Sequence, residues 1–569
     1  MSEFKTTTTS SHVVRPSPGD PNWPKEIKDV PLSILDNTCA KFARSCATWI
    51  FNPPSDPSHF SSSNLLASFR QVTSLYSFWA GQLHWTGYDP SKGYQYRSGR
   101  LALTYGGDDV DIEEYPGFPI EFVETETRLS SILPCATQTQ ATWAIDEQFP
   151  SPHLIPSQEV ALQDSYTLLG LPNLAVQVTK FACGAVGVGV KMTHSLADAT
   201  TLVGFMHDWA KVHSSLTLKG KNGDDAGTGE KQGDTIPEVS FDPSLLDSKA
   251  SGNLSSPTGP DASILSLSRS LPLHRYDWLN SSGGDCPPWF EPITACPPGV
   301  NLSDDHDQAR GERMPWGEWD VLKPVRHTIF RFSAEEVIGI WKAATDATTT
   351  TNATDGQEEQ QEAQPVKLSR LDTLLAHIWR AVMRANQIQP DEQSFLDMTF
   401  GLRTRLDLPA RFLGSPLRQI AVPGNPSLSS SYLSRSIRSI LQRLDDKKAC
   451  SALLHDLAYD TTGQNIWATF LGRRHLLCTS WTRLGVYDVD FGCGSKPEYV
   501  DAFMPASDGL LQIMEARPSS TTAGTVCGKG AEEGQGGSPW WKDGASVSLH
   551  LAEETMARLI ADEAFREFA

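Results

Sequence analysis

No stretch of this 569-residue chain reaches the ~18 consecutive apolar residues that a membrane-crossing helix requires, so no membrane partner is predicted. The ten cysteines (39, 46, 135, 183, 286, 296, 450, 478, 493 and 527) include no C-x-x-C pair and no zinc-finger spacing, and they read as reduced thiols. The N-terminus, MSEFKTTTTSSHVVRPSPGD, lacks the apolar core of a secretory signal. The sequons at Asn253, Asn280, Asn301 and Asn352 are therefore expected to stay unmodified, and the protein to be cytoplasmic. Basic residues are in deficit. The 48 Lys and Arg face 68 Asp and Glu, a formal net charge of −20, which argues against nucleic acid as a partner. The G-x-S-x-G nucleophile elbow is missing too, so no covalent acyl-serine chemistry is indicated.

Apolar residues are plentiful, 39% of the chain with 16 Trp and 23 Phe, enough for two cores. Residues 1–25 are polar and proline-bearing and are expected to be disordered. A first domain is read over 26–213 and a second over 325–569. Between them, 214–324 reads as a long crossover on the surface, with a Gly/Ser/Asp-rich insert near 214–260 and Trp278, Trp289, Trp316 and Trp319 beyond it. Two further low-complexity inserts fall at 345–366 and 519–537. Helical spacing appears at Leu65–Trp79, after Ser369 and at Tyr432–Leu444, and Ser333 with Glu336 forms a capping box. Strands are predicted at Leu101–Tyr105, Ile120–Val123, His327–Phe332, Asp397–Leu402, Leu477–Tyr487 and Ser546–Leu551, and a hairpin at Asn173–Met192 turning at Ala182-Cys183-Gly184.

One segment stands out. In VGVGVKMTHSLADATTLVGFMHD (186–208), Val186, Val188, Val190 and Met192 alternate as in a strand, whereas Leu202, Phe205, Met206 and Trp209 recur at helical spacing. His194 thus falls where a strand hands over to a helix, with Asp198 near the first turn. Imidazole can take and return a proton near neutral pH, which makes His194 a candidate general base. The alternative is a core histidine hydrogen-bonded to the helix, and H-x-x-x-D alone does not decide between them. Thr479 and Trp481 share a parity on a predicted strand and carry donors that can face a developing oxyanion. Asp490 can cap the glycine-flanked turn at Gly492 and Gly494. A buried Asp198 needs a cation, and Arg403 and Arg405 both qualify.

Taken together, HSLAD (194–198) and DFGCG (490–494) resemble the motifs of the BAHD acyltransferase family. LSILD (32–36), the AG at 80–81, LLAHIWRA (374–381), GLRTRLDLP (401–409), and TSW with YDVDFG (479–492) follow in the family's order. The inserts and length are closest to fungal-type members of the trichothecene O-acetyltransferase kind. The resemblance implies an α/β fold of two chloramphenicol-acetyltransferase-like domains, each a mixed sheet with helices, joined by the crossover. It implies a monomer that binds no cofactor or metal, takes acyl-CoA (acetyl-CoA expected) as co-substrate, and acylates a small-molecule acceptor. His194 then matches the catalytic base. Asp198, paired with Arg403 or Arg405, and Asp490 match structural positions. Thr479 and Trp481 match positions facing the reaction intermediate. Two departures are Cys493, where the family has Trp, and Ala199, where it has Gly. A condensation-type domain, or a non-catalytic binding protein on the same fold, stays open. Thr193 before His194 and Ala199 after Asp198 count against the first, an intact His194 against the second.

Overall fold

The computed structural model describes residues 4–17, 19–39, 43–87, 89–97, 99–133, 140–162, 167–222, 239–277, 312–351, 367–460, 469–492, 496–518 and 539–568. Cys493, Trp278, Trp289, the sequons at Asn280, Asn301 and Asn352, and most of the three low-complexity inserts lie outside the described residues.

Two large sheets organise the chain. Their strands, in chain order, are β1 (Thr7–Val14), β2 (Arg44–Phe51), β3 (Phe118–Thr125), β4 (Thr142–Ala144), β5 (Leu174–Phe181), β6 (Val186–Thr193), β7 (Val325–Phe332), β8 (Ser394–Gly401), β9 (Leu417–Gly424), β10 (His475–Ser480), β11 (Tyr499–Ala502), β12 (Leu510–Glu515) and β13 (Ala545–Ala552). Among the described residues the first sheet runs β1-β3-β5-β6-β2-β11 and the second β9-β8-β10-β12-β13-β7-β4.

The predicted hairpin is present. β5 and β6 pair antiparallel, and Gly184 turns the chain with φ +85°, a conformation that favours glycine. Val186, Val188, Val190 and Met192 bury one face of β6 in the first core, against α1 (Ser62–Leu75) and α2 (Ala199–Asn222). On the other face Gly189 lets the backbone of Leu154 approach, because a Cβ there would lie 2.1 Å from the Leu154 carbonyl oxygen. The second core lies under α3 (Arg370–Ala385), whose capping box joins Ser369 and Asp372, and under α4 (Ser430–Arg443), α5 (Lys447–Tyr459) and α6 (Glu553–Ile560). The Ser333–Glu336 box is also formed. No described helix is long and apolar enough to cross a membrane.

Four expectations need correction. Residues 7–14 are a strand, not disordered: β1 adds to the sheet edge through backbone bonds to β3, and its exposed side chains left no apolar alternation to read. The domains are not contiguous in sequence. β11, from the C-terminal half, pairs with β2 of the first sheet, and β4, from the N-terminal half, pairs with β7 of the second. The strand read over Leu477–Tyr487 ends at Ser480, and Val486–Asp488 is a 3₁₀ turn. The described parts of the crossover are built into the protein. Leu246 lies in the second core, Asp247 pairs with the buried Arg100 at 2.5 Å, and Trp316 and Trp319 pack with Phe470 and Leu477.

Candidate active site

β6 ends at Thr193 and α2 begins at Ala199, so His194 occupies the turn between them, as the change of period predicts. The amides of Leu196 and Ala197 close that turn onto the Thr193 carbonyl at 3.0 and 3.1 Å. A segment of the second half, Phe412–Ser415, lies alongside: Ala197 bridges Gly414 in parallel, and the Asp198 amide donates to the Gly414 carbonyl at 3.3 Å.

Asp198 is 1% exposed and faces away from solvent. Its Oδ1 accepts from the Thr201 amide at 3.0 Å, capping α2, and from Arg403 Nη2 at 2.9 Å, while Oδ2 pairs with Arg403 Nη1. Arg403 also donates from Nη2 to Thr201 Oγ1 (2.9 Å) and the Gly414 carbonyl (3.0 Å), and from Nε to the Phe412 carbonyl (3.0 Å). The arginine partner is therefore Arg403. Arg405 points elsewhere, to the Gly401 carbonyl (2.9 Å) and Asp445 (3.1 Å), because the turn after β8 throws the two side chains apart.

The imidazole of His194 is half-buried. Burial lowers its pKa below the usual value, only partly opposed by a hydrogen bond to its own carbonyl and by the charge of Asp198, so the ring is neutral at pH 7. Its Nδ1 lies 3.3 Å from Ser415 Oγ. That hydroxyl gives its one proton to the His194 carbonyl. Toward Nδ1 it can only accept, which assigns the proton to Nδ1 and leaves the Nε2 lone pair free. Nε2 has no hydrogen-bond partner among the described residues.

Ser415 is itself fixed. Its amide donates to Asp36 Oδ1 at 2.6 Å, and Asp36 Oδ2 accepts from the Ser33 hydroxyl at 2.7 Å. Burial pushes the Asp36 carboxyl up to about 7, against those hydrogen bonds. Gly414 has φ +118°, and a Cβ there would meet Asp36 Oδ1 at 2.6 Å, so this approach requires glycine. Ser415 and Gly414 carried no sequence signal, standing more than 200 residues from His194, and Asp36 was visible only as the end of LSILD. Ser415→Ala is expected to lower kcat about 5–10-fold with KM steady, matching the loss of about 1–1.4 kcal/mol of hydrogen bonding. Unchanged kcat in steady-state kinetics would remove Ser415 from the positioning of the ring.

Asp490 does not join this group. It is exposed and accepts from the Gly492 amide at 2.7 Å, holding a surface turn. Gly492 abuts Ser214, about 24 Å along α2 from Asp198. What the segment contributes is apolar: Val486, Tyr487, Val489 and Phe491 enter the first core, and Trp49 Nε1 donates to the Val486 carbonyl at 3.0 Å. Thr479 is partly exposed on β10. Trp481 belongs to the apolar cluster that also holds Leu196, Ala197 and Leu413 around the His194 turn. Neither the Thr479 hydroxyl nor the Trp481 indole N–H is engaged by a hydrogen bond among the described residues.

Comparison with known proteins gives the family and the fold. A profile of the Transferase family matches residues 147–250 and 318–527. Acyltransferase AFT15-1 of Alternaria alternata is 25% identical over 563 residues, 95% of this chain and 94% of that one. Acyltransferase abl6 of Leptosphaeria maculans is 24% identical over 82% of this chain and 80% of its own length. The crystal structure of F. sporotrichioides TRI101 complexed with coenzyme A and T-2 superposes with a TM-score of 0.58 at 15% identity, covering 95% of this chain and 98% of that one, a likeness of fold.

Proposed function

The chain belongs to the Transferase family, the BAHD acyltransferases, which take acyl-CoA as co-substrate, and on that premise we propose that it acylates a hydroxyl of a small natural-product acceptor by direct transfer, with His194 as general base. Acetyl is the expected acyl group. The observation that carries this reading is the tautomer at His194: Ser415 holds the proton on Nδ1, and a neutral ring presents Nε2 as a base.

Nε2 takes the proton of the acceptor hydroxyl as its oxygen attacks the thioester carbonyl. The tetrahedral adduct collapses, the carbon–sulfur bond breaks, and the departing CoA thiolate receives the proton back from the imidazolium. Thr479 Oγ1 and Trp481 Nε1, both without other partners among the described residues, are suited to receive the oxyanion. Asp198 takes no part in proton transfer, since both of its oxygens are committed to Arg403 and the α2 terminus. The coenzyme A and T-2 bound in the F. sporotrichioides structure support a pairing of CoA with a small-molecule acceptor.

The test follows CoA thiol release with acetyl-, malonyl- and aromatic acyl-CoA against a panel of hydroxylated natural products. Acceptor-dependent release is expected, and its absence with every donor would favour a non-catalytic binding protein. The pH profile of kcat/KM has a worked sign. A pKa held below the ordinary value keeps His194 in its base form at pH 7. The rate is therefore expected to stay level down to about pH 6.5 and to fall with one proton below it. A rate that instead climbs steadily between pH 7 and 9 would contradict a neutral histidine base.

A further inference from the structure

Outside the His194 site, a second group of side chains converges on the second sheet. His475 on β10 and Asp397 on β8 lie on the face opposite the helices, and His274 reaches them from the crossover. One nitrogen from each imidazole and one carboxylate oxygen all lie within 4.8 Å of one another. His475 Nδ1 is 2.8 Å from Asp397 Oδ2, and His274 Nε2 is 2.9 Å from Asp397 Oδ1. The residues stand 78 and 123 positions apart in sequence, so no spacing motif announced them.

Two observations distinguish this group from an ordinary hydrogen-bonded trio. Asp397 is 0% exposed, and among the described residues its ion-pair partners are the two histidines alone, so a buried carboxylate has no lysine or arginine to balance it. Second, His274 Nε2 and Asp397 Oδ1 are close yet neither has a hydrogen-bond partner. An imidazole N–H lies in the ring plane, and here the oxygen does not lie along it. A buried imidazole nitrogen and a buried carboxylate oxygen that lie close without a hydrogen bond between them are what a shared cation reconciles. Two ligand atoms about 2.1 Å from one tetrahedral ion lie about 3.4 Å apart, so this pair opens by about 0.5 Å to admit it.

We propose that His274, Asp397 and His475 bind one zinc ion that fastens the crossover to the second sheet. Two imidazoles and a carboxylate suit zinc, with a fourth position left for water. The surroundings favour a structural ion. Phe395 packs 4.8 Å from His274 and 5.0 Å from His475, Tyr276 stacks on His274 at 5.1 Å, and Phe470 meets His475 edge-on at 5.4 Å. The ion would tie His274 to β8 and β10 near the place where the Ala421 amide of β9 already holds the Pro272 carbonyl at 2.8 Å. It lies apart from acyl transfer: His475 is four residues, about 13 Å, from Thr479 along β10.

The test uses the full chain, stripped with a chelator and titrated with zinc chloride against a chromophoric competitor. Wild type is expected to take up one equivalent and to unfold at a higher temperature with zinc than without. His274→Gln, on the partly exposed crossover residue and therefore the safest substitution, is expected to bind at least about 10-fold more weakly and to lose the thermal shift. Asp397→Asn should behave likewise if it folds. His84→Gln, distant and half-exposed, should match wild type. No zinc equivalent in wild type, or one that survives His274→Gln unchanged, would overturn the proposal and leave a histidine–aspartate network.

Discussion

His194→Ala is expected to lower acyl transfer by at least ~10²-fold while thermal unfolding stays where it is in wild type. The size follows from general base catalysis, which typically supplies ~10²–10⁴-fold. The intact fold follows from the surroundings. The ring is half-buried, its contact to the second half is the 3.3 Å approach to Ser415, and the turn it sits on is held by backbone bonds that alanine keeps. The loss should appear in kcat and in kcat/KM alike, with little change in KM for acyl-CoA, because the base acts in the transition state. Near-normal turnover in this variant would remove His194 from the mechanism.

The second large effect belongs to Arg403, and it is an effect on folding. Arg403→Met leaves Asp198 buried without its cation, a change that typically costs about 3–5 kcal/mol. It also releases the Gly414 and Phe412 carbonyls that the guanidinium holds beside α2. Lower soluble yield and an earlier denaturation midpoint are expected. Asp198→Asn should be similarly damaging, and the double variant should lose less than the two single losses combined, because it removes both members of the pair. Arg405→Met, whose partner Asp445 is exposed, should be mild. A well-folded but inactive Asp198 variant would give that carboxylate a direct catalytic role instead.

Local patterns were legible because they are written in neighbouring residues. The hairpin at 174–193, the handover at His194, the box at Ser333 and the helix after Ser369 each depend on side chains within a turn or a strand of one another. Features that depend on the backbone were not. β1 is held by main-chain bonds and exposes polar side chains, so no apolar alternation marks it. Arg403 and Arg405 follow the same strand two positions apart, and only the turn after β8 decides which one meets Asp198.

The sequence by itself determined the candidate base, its strand-to-helix setting, the family resemblance and the apolar residues of both cores, since periodicity and motif order are properties of the chain. Tertiary structure alone decided that Arg403 is the partner of Asp198 and that Asp490 sits on the surface. It also decided that Ser415 and Asp36 set the tautomer of His194, and that each sheet borrows a strand from the other half. The reason is physical. A proton's position on an imidazole depends on which acceptor faces Nδ1, and that acceptor arrives from 221 residues away along a path the local sequence does not encode.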